Sequence, residues 1–243
     1  MMNKSYEIKF YETDCKNRLK EAVLLNFLQD IAADDAEKIG LGYSKIKDKN
    51  VGWFLTKYHI KIFKTLKNEG KITLKTESKG HMKITCIRDF DIFDANDEKI
   101  GEATSSWVLA DLATGKVLLP TEFFGEIPVA DRQNLRSLFP KIQSPTKTDY
   151  EKTFKATFHD LDVNNHVNNA VYLTWADDTL PYETLLSTRI EELEIQYKQQ
   201  VKYDETVIVK VDYNPENQTY IEELTTESGE TVCIIKQKRT NTL

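Results

Sequence analysis

Apolar residues alternate at Tyr6, Ile8 and Phe10, and the spacing then turns helical over Leu24, Leu28, Ile31, Ala32, Ala36 and Ile39. The first pattern is that of a half-buried strand, and the second lays an apolar stripe along one face of a helix. Gly40 and Gly42 follow as helix-ending signals. Beyond a charged turn, Ile72 and Leu74 resume the strand period. The same succession then returns. FYETDCKNRLKEAVLLNFLQD, from Phe10, overlays FHDLDVNNHVNNAVYLTWADD, from Phe158, without a gap, and seven of its 21 positions are identical. These are Phe10/Phe158, Asp14/Asp162, Asn17/Asn165, Ala22/Ala170, Val23/Val171, Leu25/Leu173 and Asp30/Asp178. Average residue usage would give about one or two. IKIFKTLKNEGKITLK, from Ile60, likewise overlays IQYKQQVKYDETVIVK, from Ile195, where Val207, Val209 and Val211 repeat the alternation.

The repeated unit is therefore strand, turn, long helix and several antiparallel strands, and each copy is predicted to be α+β, with one helix lying across an antiparallel sheet. By analogy, such a tandem matches the double hotdog arrangement. We place the units at residues 1–120 and 150–243. The connector, 121–149, follows Pro120 and contains Pro128, Pro140 and Pro145, and is expected to carry one short helix around Asp131 to Leu138.

Composition narrows the class. The 243 residues, 40% hydrophobic, can bury a proper core. A formal net charge of −6 argues against broad nucleic-acid binding. No run approaches the ~18 apolar residues of a membrane span, and the opening MMNKSYEIKF lacks the apolar stretch of a signal peptide, so a cytoplasmic protein without a membrane partner is expected. Cys15, Cys86 and Cys233 are far apart and odd in number, which predicts buried free thiols rather than disulfides or a zinc site.

Chemistry concentrates in the second copy of the repeat. Asp162, Asn164 and His166 alternate, so in an extended segment they would project to one side, ahead of a helix beginning near Val167 or Asn168. The free N–H groups and positive dipole end of that helix would favour an oxyanion. Asn168 and Asn169 read as helix-start hydrogen bonders, and Tyr172 and Trp175 as core. The first copy has Lys16 and Arg18 where the second has Asn164 and His166, which predicts one active site per chain.

DLDVNNHVNNAVYLTW, from Asp160 to Trp175, is similar to the DxDxNxHVNNxxYxxW motif of the acyl-acyl carrier protein thioesterases of plants and bacteria. YETD, LQDIAADDAEKIGLG, WFLTKYHIKI and ATSSWVLADLATGKVLLP resemble further landmarks of that family, in order along nearly the whole chain. The resemblance implies a tandem double hotdog that hydrolyses the thioester of acyl carrier protein to a free fatty acid, with water as cosubstrate and no cofactor or metal. It makes the first unit the wall of the acyl pocket.

On this reading Asp162 orients His166 or the water, Asn164 hydrogen-bonds the carbonyl or the water, and His166 is the general base or positions the water. The family's glutamate is replaced here by Gln200, which can position water but not take its proton, and the cysteine of plant enzymes is replaced by Val201. Lys198 and Lys202 are candidates to meet the acidic carrier protein. The rivals are an acyl-coenzyme A thioesterase, a hotdog hydratase or dehydratase, and a non-catalytic acyl-binding protein. Monomer and homodimer are both compatible with a tandem pair.

Overall fold

The computed structural model describes residues 1–242. In the first half, β1 (Met2–Glu7) leads to a 3-10 turn (Phe10–Glu12), α1 (Glu21–Lys38), α2 (Tyr43–Ile46), β2 (Val51–Ile62), β3 (Lys71–Met82), β4 (Thr85–Phe93), β5 (Lys99–Asp111), β6 (Val117–Leu118) and α3 (Pro120–Phe124). The second half repeats the scheme with β7 (Tyr150–Lys155), a 3-10 turn (Phe158–Asp160), α4 (Asn169–Asp177), α5 (Tyr182–Ser187), β8 (Thr188–Tyr197), β9 (Thr206–Asn214), β10 (Thr219–Thr226) and β11 (Thr231–Asn241).

All strands join one antiparallel sheet, ordered β1-β3-β4-β5-β2-β8-β11-β10-β9-β7, with β6 beside β5. The two copies meet at β2 and β8, where Tyr58 lies opposite Ile195 and Ile60 opposite Leu193. Because Ile60 and Ile195 are equivalent in the repeat, this register relates the halves by an approximate two-fold. α1 packs on β1 and β3, α4 packs on β10 and β11, and the helices pack on each other. Their apolar faces and both half-sheets share one core, including Leu24, Leu28, Leu173, Ile195 and Val209.

The stripe on α1 is buried at Leu24, Leu28, Ile31 and Ala32, but its last member, Ile39, is 46% exposed. Asp35 is buried in the last turns instead, because Arg88 reaches it from β4 at 2.5 Å. α1 ends in a Schellman motif: Gly40 has φ +77°, Leu41 N–H donates to the Ala36 carbonyl and Gly40 N–H to that of Glu37. The strands stop earlier than the alternation predicts. Ile8 and Ala156 are buried, whereas Phe10 and Phe158 stand on the 3-10 turns, 85% and 75% exposed.

The connector is bound to strands of both halves rather than loosely tethered. Pro128 and Ala130 exchange backbone hydrogen bonds with His81 at 2.9 Å, and they pass so close to Gly80 that a Cβ there would meet the Pro128 carbonyl. Arg136 donates to the Phe90 carbonyl and pairs with Asp91, while Thr146 bonds Asp212. The helix expected around Asp131 to Leu138 is only a 3-10 turn, Arg132–Asn134, with Asp131 accepting from the Gln133 N–H. The thiols divide too: Cys233 is buried, Cys86 is half-buried, and Cys15 is exposed, contrary to the expectation for it.

Candidate active site

The residues between the Phe158 turn and α4 form a tight turn, not the extended segment that the alternation anticipates. Asp162 N–H donates to the His166 carbonyl and Asn165 N–H to the Asp162 carbonyl, at 2.8 and 3.1 Å, with Asn165 at φ +59°. The Asp162 carboxylate organises the turn: Oδ1 accepts from Asn164 N–H at 2.8 Å, and Oδ2 accepts from Asn164 Nδ2 at 3.4 Å. Asp14 does the same for Lys16 N–H in the first copy, where Asn17 has φ +57°. The identical Asp and Asn pairs of the repeat are thus turn residues, chosen for an Asx cap and a left-handed backbone.

Asp162 and Asn164 are hydrogen-bonded, but no such bond joins Asp162 to the His166 ring. His166 Nδ1 is instead buried without a protein hydrogen-bond partner, as is Tyr58 Oη. The His166 backbone is fixed from outside: it bridges Lys202, and Val167 N–H donates to the Val201 carbonyl at 2.8 Å. Val201 is fully buried and gives its N–H to the Tyr172 hydroxyl. Gln200, beside it, is exposed, and of the four predicted site residues Asn164 alone lines the cavity described below, with Asp162, His166 and Gln200 outside its lining.

α4 starts at Asn169, slightly later than expected, with Asn168 as its cap, accepting from Ala170 N–H at 2.8 Å. The Asn168 and Val171 N–H groups are also taken, by the Asp160 and Asn168 carbonyls. The helix start is therefore largely satisfied by itself, and only the Asn169 N–H remains free in its first turn among the described residues. Tyr172 and Trp175 are buried, as their spacing predicts.

A cavity of about 390 Å³ opens in the first half, within the usual size range of small-molecule sites. Ala32, Ile46, Phe54, Ile87 and Trp107 give it apolar walls, and Val163 and Asn164 reach its rim from the second half. Cys86 also lines it, and burial pushes its thiol up to about 11, so it stays protonated near neutral pH and is no nucleophile. Sequence reasoning missed Gln29 and Arg88, which also line this cavity, since neither lies near the motif in sequence. Among the described residues, no group of three His, Cys, Asp or Glu side chains is placed to hold a metal ion.

The place related to this site by the repeat is closed. Arg18, the counterpart of His166, donates to Asp14 and to the Thr188 and Leu185 carbonyls, at 2.6, 2.8 and 2.8 Å. Beneath it, Glu222 is 0% exposed and both of its oxygens accept from Gln237 Nε2, which also bonds Asp177; Arg239 donates to Gln237, Asp177 and Thr188. Burial, then the neighbouring Asp177 charge, holds the Glu222 carboxyl well above the ordinary value of 4.5. A carboxyl with a raised folded pKa binds its proton more tightly in the folded chain, so its stabilising contribution is full below the unfolded pKa and is lost as pH rises toward the folded one. In Glu222→Gln that loss is absent. Thermal melts should coincide with wild type near pH 4.5 and rise above it progressively toward alkaline pH; parallel curves would show that Glu222 does not carry the dependence.

Two family models match the chain, the acyl-ACP thioesterase N-terminal domain over residues 1–124 and the C-terminal domain over 143–240. An oleoyl-acyl carrier protein thioesterase of Coriandrum sativum is 25% identical over 225 residues, covering 84% of this chain and 61% of the relative. The chain thus spans about three fifths of the length of the curated relatives it matches first. An acyl-ACP thioesterase from Bacteroides thetaiotaomicron superposes with a TM-score of 0.85 at 24% identity, covering 98% of this chain and 97% of that one. The 12:0-ACP thioesterase from Umbellularia californica gives 0.84 at 17%, covering 99% and 97%. These likenesses show the α+β hotdog fold. Among the described residues, no helix is long and apolar enough to cross a membrane.

Proposed function

Since this chain belongs to the acyl-ACP thioesterase family, we propose that it hydrolyses acyl thioesters of acyl carrier protein, releasing free fatty acid and the carrier thiol for lipid synthesis in the cytoplasm. Residues 1–120 provide the acyl cavity, 121–149 the connector, and 150–243 the reacting groups. The observation that carries this reading is the position of Asn164: a turn of the second half brings its amide to the rim of an apolar cavity built by the first. His166, with its buried unpartnered ring nitrogen, follows two residues later.

The acyl chain fills the cavity and leaves its thioester at the rim. Asn164, held by Asp162, donates to the carbonyl oxygen. Asp162 therefore acts through Asn164 rather than through His166. His166 takes a proton from water as the water oxygen bonds to the carbonyl carbon, and the C=O electron pair moves onto oxygen. When the oxyanion collapses, the C–S bond breaks and the departing thiolate takes the proton from the imidazolium. Gln200 has no proton-accepting role; its segment, through Val201 and Lys202, holds the His166 backbone in place. Lys198 and Lys202, both exposed, lie on the same segment and provide positive charge for an acidic carrier.

The test is thiol release from one acyl group carried by acyl carrier protein or by coenzyme A. Faster turnover of the carrier-protein thioester is expected. Preference for the coenzyme A thioester would move the chain to that class of hydrolase, and binding without thiol release would make it an acyl-binding protein.

A further inference from the structure

We propose that Gln29, on α1 of the first half, is a catalytic residue whose Nε2 amide donates a hydrogen bond to the thioester carbonyl oxygen as it becomes the oxyanion. This rests on the thioesterase reading and adds to the active site a group from the half that otherwise only binds the acyl chain.

Gln29 lines the same cavity as Asn164. Its Oε1 accepts from Asn169 Nδ2 at 3.1 Å, across the contact between the two central helices. Asn169 is itself anchored, because its carbonyl accepts from the Tyr197 hydroxyl at 2.9 Å. An amide whose oxygen is committed on one side presents its NH₂ on the other. Among the described residues no protein group accepts from Gln29 Nε2. The donor is thus oriented without being used, as transition-state stabilisation requires of a preorganised group. The first turn of α4 makes a second donor useful, since its own N–H groups are mostly consumed by the Asn168 cap.

The repeat provides an internal comparison. Moved by the 148 positions that relate Phe10 to Phe158, Gln29 falls on Asp177, and Glu21 falls on Asn169. The donor pair of one face is therefore a pair of carboxyls on the other, both raised by burial, with Asp177 raising Glu21 further. That face carries carboxyls in place of amides and is sealed by Arg18 and Arg239.

Two substitutions separate the roles this side chain could have. Gln29→Glu keeps an oxygen for Asn169 and keeps the volume, but replaces the donor with an anion; Gln29→Met keeps the volume and removes both. With wild type as reference in an acyl-carrier-protein assay, Gln29→Glu should lose about 10²–10³-fold in kcat, with KM and Tm little changed. Gln29→Met should lose activity to a similar degree. A Gln29→Glu enzyme within threefold of the wild-type kcat, beside a Gln29→Met enzyme of lowered Tm, would reduce Gln29 to a tie between helices and overturn the inference alone. A wild-type chain that releases no thiol would overturn the thioesterase reading and this inference with it.

Discussion

Replacement of His166 by Ala is expected to lower kcat on acyl-carrier-protein thioesters by about 10²–10⁴-fold, the range associated with a lost general base. The expectation comes from geometry. The turn built by Asp162 and Asn165 presents His166 two residues after Asn164, and the Val167–Val201 hydrogen bond fixes the backbone behind it. With the Asp162 carboxylate engaged by Asn164 and Gln200 exposed and unable to take a proton, His166 is the imidazole this segment offers as base, two residues from Asn164. The ring makes no hydrogen bond through Nδ1, so its removal leaves no polar partner stranded. Tm should therefore stay close to wild type, which separates a catalytic loss from a folding defect. Acyl binding, followed with a non-hydrolysable thioether analogue, should also persist. Wild-type turnover in His166→Ala would remove the residue from the mechanism and leave Asn164 and Gln29 as mere carbonyl donors.

The second large effect concerns stability. Arg88→Met should destabilise the protein by about 3–5 kcal/mol, because it leaves Asp35 charged and unpaired in the interior. The two side chains are 8% and 7% exposed and meet at 2.5 Å, with Arg88 also donating to the Thr76 hydroxyl at 3.2 Å. The pair ties α1 to β4 at the cavity wall. An exposed ion pair of the same length would be worth at most about 1 kcal/mol, so burial decides the magnitude. For a chain of this size the fall in Tm is roughly 6–20 °C. Asp35→Leu/Arg88→Met should recover most of it, since the cost lies in the stranded charge rather than in the missing bond. A single variant that melts with wild type would mean that Asp35 finds water or takes up a proton in place of its partner.

The repeat made much of this architecture legible before any coordinates. Alternation and helical spacing located α1, α4 and the flanking strands, because burying one face of an element imposes its own period on the sequence. The matched Asp14/Asp162 and Asn17/Asn165 pairs marked a shared turn, whose Asx cap and left-handed residue few side chains can supply. Where the reading failed, the competing force was local geometry or a distant partner. Asp162, Asn164 and His166 were placed on one side of an extended segment, but the turn directs Asp162 to Asn164 and leaves the His166 ring without it. Phe10 and Phe158 continued an alternation in sequence, yet the chain had already turned out of the sheet.

The α+β tandem, its duplicated turn and helix, and the confinement of Asn164 and His166 to one copy are all readable along the chain. Those features repeat, or are dictated by neighbours a few residues away, so they are written in local spacing. Which separated groups meet depends on folding in three dimensions: Arg88 with Asp35, Gln29 with Asn169, and Glu222 with Gln237 in the closed place opposite the cavity. Each of those pairings is set by strand register and by the packing of α1 on α4. Register and packing bring together residues far apart in the chain, 140 positions for Gln29 and Asn169, and no periodicity along the chain encodes such a meeting.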